Sequence, residues 1–272
     1  MLKQRLITAL ILVPAVVALV LLAPTPTLAL LLGLVVLIGA QEWARLSGFA
    51  SPVGRSLFLV ALTLLMVAAE WLRREGLSAP IFLAASLWWL LVLGLLWQRR
   101  HRQTTSQSGP SWPTALAGLL VLTPAWLAMV ELHSREAGPG LLLFVLVMIW
   151  LADSGAYFAG RRFGKTKLAP GISPGKTWEG VQGAMVGLLL AGLLLSWWAP
   201  VPGNLAALLL LCLVSGLFSI VGDLFESLLK RRRGVKDSGR LLPGHGGVLD
   251  RIDSLTAALP LFLFGLNLLG AA

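Results

Sequence analysis

Residues 204–253 read NLAALLLLCLVSGLFSIVGDLFESLLKRRRGVKDSGRLLPGHGGVLDRID. An unbroken apolar run fills 204–222. A loop of cations, glycines and paired aspartates follows, and a second apolar run begins at Ile252. The first run is close to the ~20 residues that cross a bilayer as a helix. The whole chain has the same character: of its 272 residues 57% are hydrophobic and 12% charged. A soluble domain is nearer ~45–50% apolar and ~25% charged. Backbone groups in lipid must satisfy one another within the segment, so the apolar runs are expected to be helices. The alternating stretches of a membrane β-barrel are absent. The expected fold is an all-α, polytopic integral membrane protein.

About nine spans are expected, at 6–23, 27–44, 56–72, 80–97, 112–132, 139–159, 181–199, 204–222 and 252–270. Lys3 and Arg5 followed by an apolar run imitate a signal peptide. The run is longer than the usual apolar stretch of such a leader, and a second run follows it at once, so a retained first span is expected. With the N-terminus in the cytoplasm, all of the 22 Lys and Arg residues except Arg73, Arg74 and Arg135 fall on the cytoplasmic side. That asymmetry sets the orientation. It also accounts for the formal net charge of +10 without nucleic acid as a partner. The single cysteine, Cys212, excludes an intrachain disulfide and a cysteine-based metal site. Trp88, Trp89 and Trp97 are expected near span ends, where an amphipathic ring prefers the interface.

Two regions are expected, 1–136 with about five plain spans and 137–272 with the chemistry; the polar linker 101–113 is a further candidate boundary. No internal repeat is evident. Loops 160–180 and 223–251 are the richest in polar groups, and both are expected to face the cytoplasm. If the eighth helix continues past Gly222, Asp223, Glu226, Ser227 and Lys230 share one face. Lys230–Arg233 and Lys236 follow, among glycines that can bring backbone N–H groups onto an anion. His245 sits between two of those glycines. Asp250 and Asp253, three apart at the start of the last span, can point the same way. Carboxylates at Asp223, Asp250 and Asp253 beside a polybasic loop suggest a hard divalent cation such as Mg²⁺ on a phosphate. Taken singly, the cations could be topogenic, the aspartates could favour a helix start, and Arg251 could pair locally. None of these explains the cluster.

Asp153 lies within the sixth span, ~12 Å along the helix from the cytoplasmic loop. An intramembrane carboxylate points to a polar cavity or to a buried partner. Tyr157, one turn on, shares its face. The stretch 171–177, GISPGKT, resembles a P-loop but has three residues between its glycines instead of four, and no strand is expected before it. Ser173, Lys176 and Thr177 still offer donors around a turn expected at Pro174–Gly175. Glu179 could bind metal or pair with Lys176. Glu42 with Arg45, and Glu70 with Arg73, are expected as local pairs or snorkelling groups. His101 and His133 are expected as loop histidines without a role.

Ser227-Leu-Leu-Lys-Arg, Lys236-Asp237 and His245-Gly-Gly-Val-Leu-Asp250-Arg-Ile-Asp253 resemble the signature of the phosphatidate cytidylyltransferases, also called CDP-diacylglycerol synthases. Asp153-Ser-Gly-Ala-Tyr157, Gly160-Arg-Arg-Phe-Gly164-Lys165, Ser173-Pro-Gly-Lys-Thr-Trp-Glu179 and Gly222-Asp223-Leu-Phe-Glu226-Ser227 resemble other blocks of that family. The motif resemblance covers 153–253. It implies a helical membrane enzyme, a homodimer, in the bacterial inner membrane with its site toward the cytoplasm. The implied reaction joins CTP and phosphatidate, giving CDP-diacylglycerol and pyrophosphate, with Mg²⁺ or more than one cation. On this basis Asp223, Asp250, Asp253 and Lys230 are the expected catalytic residues, and the three aspartates the metal ligands. Asp153, Ser173, Lys176, Thr177, Glu179, Arg231, Lys236, Asp237, His245 and Arg251 are the expected substrate contacts. His245 either donates to a phosphate or shapes the loop. The rivals are a CTP-dependent kinase of an isoprenoid alcohol, an enzyme activating an ether lipid, an anion transporter and a lipid-binding scaffold. The dissimilar halves and the inner-face charges disfavour the transporter, and the Asp250/Asp253 pair disfavours the scaffold.

Overall fold

A computed structural model describes residues 2–198, 204–241, 244 and 246–270. Nine helices run through these residues: α1 (Leu2–Leu22), α2 (Thr25–Leu46), α3 (Pro52–Arg74), α4 (Ala79–Arg99), α5 (Trp112–His133), α6 (Gly138–Phe163), α7 (Trp178–Trp198), α8 (Leu205–Arg232) and α9 (Leu249–Leu268). Seven of them, α2 to α8, are long and apolar enough to cross a membrane. The protein is an integral membrane protein. Lys3 and Arg5 lie in α1, but their side chains fall outside the described residues.

Local sequence explains where the helices begin. Pro26, Pro52, Pro80, Pro113 and Pro139 each sit in the first turn of α2 to α6, where a missing N–H costs nothing. Ser51 caps α3 by accepting the Gly54 N–H at 3.1 Å. Asn204 caps α8 by accepting the Ala207 N–H at 2.9 Å. Gly48 after α2 and Gly234 after α8 adopt positive φ, +81° and +67°, the left-handed conformation that ends a helix.

Helix α5 lies inside the bundle and is buried along most of its length. Two indoles lock α2 to it: Trp43 donates to the Thr114 carbonyl at 2.8 Å, and Trp126 donates to the Ala29 carbonyl at 2.9 Å. Trp89 is not at a span end as expected. It is fully buried in the middle of α4 and donates to the Thr256 carbonyl of α9 at 3.1 Å. His133 is not a loop histidine either. It is the last residue of α5, buried, with its ring nitrogens 2.9 Å from Thr25 Oγ1 and 2.9 Å from the Val20 carbonyl. Glu70 does form the expected pair, 2.7 Å from Arg73. Leucines on α1 to α4 and α7 remain exposed, as a surface in contact with acyl chains allows.

Two antiparallel helix pairs frame the second half. In α6 and α7, Gly155 meets Gly183 and Gly160 meets Gly180 so closely that a Cβ on Gly183 would stand 2.4 Å from the Gly155 carbonyl oxygen. In α8 and α9, a Cβ on Gly222 would stand 2.4 Å from the Asp253 carbonyl oxygen. Between α6 and α7 lies a small antiparallel hairpin, β1 (Lys167–Ala169) and β2 (Ser173–Thr177), with Lys167 opposite Thr177 and Ala169 opposite Ser173. A strand therefore does precede GKT, contrary to expectation. The turn falls at 170–172 instead of at Pro174–Gly175. The linker 101–113 is tied down at several points. Gln107 N–H donates to the Arg232 carbonyl, Thr104 Oγ1 to Gly171, and Arg233 to the carbonyls of Gln107 and Gly109.

The close helix contacts give a direct test. Gly183→Ala is expected to cost about 1–3 kcal/mol through overpacking, seen as a lower thermal unfolding midpoint in detergent. Gly94→Ala, where a Cβ meets nothing within 4 Å, is expected to leave the midpoint unchanged or raise it slightly.

Candidate active site

The eighth helix does continue past Gly222, through to Arg232, and its polar residues stack on one face as expected. Ser227 Oγ donates to Asp223 Oδ1 at 3.2 Å, and Lys230 Nζ stands 3.2 Å from Glu226. Lys230 also reaches across to α9, donating to Asp250 Oδ1 at 2.6 Å. Its side chain and those of Glu226 and Asp250 are all under a tenth exposed. Asp250 is the hydrogen-bonded partner of this buried cation, and removing Lys230 would leave two acids facing each other without a counter-charge. Asp250 is further held through Oδ2, which accepts from Ser238 N (3.0 Å) and Gly247 N (2.8 Å), with Ser238 Oγ 3.0 Å away.

From the other side the hairpin brings Lys176 of β2 to α8, where Nζ lies 2.7 Å from Asp223 Oδ2. Lys176 thus pairs with Asp223 and not with Glu179. The Glu179 carboxylate instead accepts the Thr166 N–H at 3.1 and 3.2 Å, fixing the start of the hairpin. Thr177 is buried and caps α7 by accepting the Gly180 N–H at 3.1 Å.

The C-terminal part of α6, the starts of α7 and α9, the stretch of α8 around Asp223 and the hairpin border a cavity of about 460 Å³. Asp153, Lys176, Thr177, Asp223, Asp250, Arg251 and Asp253 all line it. Asp153, whose place inside a helix suggested a polar cavity, opens into this one. Arg161 also lines it, donating to Tyr157 Oη at 2.9 Å. Arg161 was expected as a topogenic cation and as part of a family-like block, not as a site residue, although its place one turn beyond Tyr157 carried the signal. A larger cleft of about 530 Å³ between α2, α3 and α5 is almost wholly apolar and contains none of the expected site residues.

Other expected contacts stand apart from the cavity lining. Ser173 opens β2 at the hairpin turn. Lys230 is committed to Glu226 and Asp250. Arg231 donates to the carbonyls of Ile172 (3.4 Å) and Val235 (3.2 Å), joining hairpin and loop. Lys236 and Asp237 lie on the exposed part of the loop. His245 lies outside the described residues. Glu42 departs furthest from expectation. It is not a snorkelling partner of Arg45 but is buried, 5% exposed, against the loop before α9. Its donors belong to residues nearly two hundred positions later, so no local spacing announces them.

Among the described residues no three Asp, Glu, His or Cys side chains are grouped to hold a metal ion by themselves. Mg²⁺, however, is usually held by one or two carboxylates with substrate phosphates and waters completing its shell. Asp223 and Asp253 offer such hard oxygen donors on the wall that also carries Lys176. The donor set therefore fits a divalent ion that arrives with phosphates. Asp250, already accepting from Lys230 and two loop amides, has the most occupied oxygens of the three.

Comparison with known proteins adds to this geometry. The phosphatidate cytidylyltransferase of Pseudomonas aeruginosa is 46% identical over 263 residues, covering 96% of each chain. That of Haemophilus influenzae is 38% identical over 283 residues, covering 97% of this chain and 98% of its own. A protein of the same name from Staphylococcus epidermidis is 47% identical over 129 residues, 47% of this chain and 50% of its own. The model of the cytidylyltransferase family matches residues 3–269. From its first helix to its last, the chain belongs to the cytidylyltransferase family.

Proposed function

We propose that this protein transfers the cytidylyl group of CTP to phosphatidate, forming CDP-diacylglycerol and releasing pyrophosphate in phospholipid synthesis. The observation that carries this reading is the polar cavity lined by Asp153, Lys176, Asp223 and Asp253. In a chain related along its length to phosphatidate cytidylyltransferases, it gathers cations and carboxylates where α6, α7, α8, α9 and the hairpin meet. A phosphate oxygen of phosphatidate attacks the α-phosphorus of CTP in line. The new P–O bond forms as the bond to the β-phosphate oxygen breaks, and pyrophosphate leaves. A phosphate is already anionic at neutral pH, so the protein's task is positioning and charge stabilisation.

Lys176, Arg161 and Arg251 offer cations to the triphosphate and to the departing pyrophosphate. Asp223 and Asp253 are the proposed ligands of Mg²⁺. When bound, the ion supplies charge neutralisation on the phosphate oxygens. Asp250 is held by Lys230 and the loop amides, which fixes the start of α9 and with it Asp253. Asp153 borders the side of the cavity formed by α6. The cytoplasmic orientation is supported by the basic residues around the cavity and by the positive-inside asymmetry. The bacterial relatives favour an inner-membrane location, and a homodimeric working form rests on the family resemblance.

Labelled CTP in detergent micelles with phosphatidate tests the reaction. Label at the α-phosphorus is expected in the lipid product and label at the γ-phosphorus in pyrophosphate. Lipid carrying γ-label would identify a kinase instead. Asp223→Asn, Asp250→Asn and Asp253→Asn are each expected to lower turnover by ~10²-fold or more, the scale of a lost transition-state electrostatic contact. Lys176→Met is expected to raise the KM for CTP as well. Near-normal turnover in any purified Asn variant would remove that residue from the proposed site. Chelation of divalent ions is expected to abolish product formation, and added Mg²⁺ to restore it.

A further inference from the structure

Glu42 sits on α2, far from the cavity-lining segments in sequence, with its carboxylate buried and with no cation in an ion pair with it among the described residues. It accepts the Val248 N–H through Oε1 at 3.1 Å, and through Oε2 the Leu249 N–H at 2.8 Å and Ser238 Oγ at 2.9 Å. Those two amides belong to the start of α9, where N–H groups lack intrahelical acceptors and the helix favours negative charge. The residue in the capping position of α9, Val248, supplies no side-chain cap. The cap comes from another helix.

The loop is shaped to admit this carboxylate. A Cβ on Gly239 would stand 2.1 Å from Glu42 Oε1, and one on Gly247 would stand 2.3 Å from Oε2. Ser238 Oγ lies between Glu42 Oε2 and Asp250 Oδ2, 2.9 and 3.0 Å away. One hydroxyl thus stands between the buried acid of α2 and the carboxylate that Lys230 holds.

We propose that Glu42 is a positioning residue for the cavity: it caps α9 from α2 and pins the loop through Ser238, so that Asp250 and Asp253 keep their places on the cavity wall. The proposal rests on the cytidylyltransferase reading of that cavity for its kinetic consequence. Its structural consequence, the latch itself, stands without it.

The test uses the full-length protein in detergent with Glu42→Ala, Glu42→Gln, Ser238→Ala and the paired substitutions. Glu42→Ala is expected to lower kcat for α-labelled lipid formation at least tenfold, with the KM for phosphatidate changing less than threefold. Glu42→Gln is expected to fall between, because its carbonyl oxygen still accepts one amide while its NH₂ group must face the Leu249 N–H. Ser238→Ala added to either Glu42 variant is expected to cost less than twofold more, since both act through one contact. A kcat for Glu42→Ala within threefold of the parent, or effects of the two sites that simply multiply, would overturn the proposal. Where Glu42→Ala does not accumulate, the cycle of Glu42→Gln with Ser238→Ala decides by the same criterion. Amide hydrogen exchange at Val248 and Leu249 reads the latch apart from the reaction. Exchange at least tenfold faster is expected at Leu249 in Glu42→Gln, and unchanged exchange there would overturn the latch. Should the parent protein put no α-label into lipid, the functional reading fails while the exchange result still judges Glu42.

Discussion

Lys230 places one ammonium between Glu226 of its own helix and Asp250 of the next, all three side chains nearly closed to solvent. Isolated, any of these charges would be costly at the end of an apolar bundle. Together they hold α8 and α9 at a fixed offset, and Gly222 lets the two backbones meet. The remaining carboxylates of these helices, Asp223 and Asp253, are thereby left on the wall of a cavity, where Lys176 approaches from the hairpin. The arrangement separates structural charge from charge available to a ligand. Lys230 is consumed in holding the frame, while Lys176, paired with Asp223, borders the open space.

The cavity's position suits a reaction between a soluble and a lipid-borne anion. Its walls are membrane helices and the hairpin, and its cations and carboxylates converge where two phosphates would otherwise repel each other. In the proposed reaction the protein needs no strong base. It needs fixed charges that are already oriented before either substrate arrives, because preorganised dipoles and ions cost no reorganisation at the moment of reaction. The tight α6–α7 and α8–α9 contacts and the hydrogen-bonded linker 101–113 provide that rigidity.

Much of this was legible in the sequence. The apolar runs became helices because lipid leaves the backbone no alternative. Asp223 through Lys230 shared a face because helical spacing dictates it, and Asp153 announced a polar cavity by its cost. What spacing could not show was which charges turn inward. Lys230 and Arg231 are neighbours, yet one is buried against acids and the other ties two loops through carbonyl oxygens. Arg233 likewise donates to the Leu46 carbonyl at the end of α2, 2.6 Å away. Glu42 was hidden for the same reason: its partner Ser238 lies 196 residues later. Trp89 was misplaced because an indole mid-helix can be satisfied by a carbonyl of a packed neighbour, which no local pattern records.

A structure determined with CTP, Mg²⁺ and a phosphatidate analogue bound would test the account most directly. The account predicts the triphosphate within hydrogen-bonding distance of Lys176, with an ion between its oxygens and those of Asp223 or Asp253, and the lipid phosphate in the same cavity facing the α-phosphorus. A triphosphate seated elsewhere, or a lipid phosphate on the far side of the bundle from these aspartates, would contradict it.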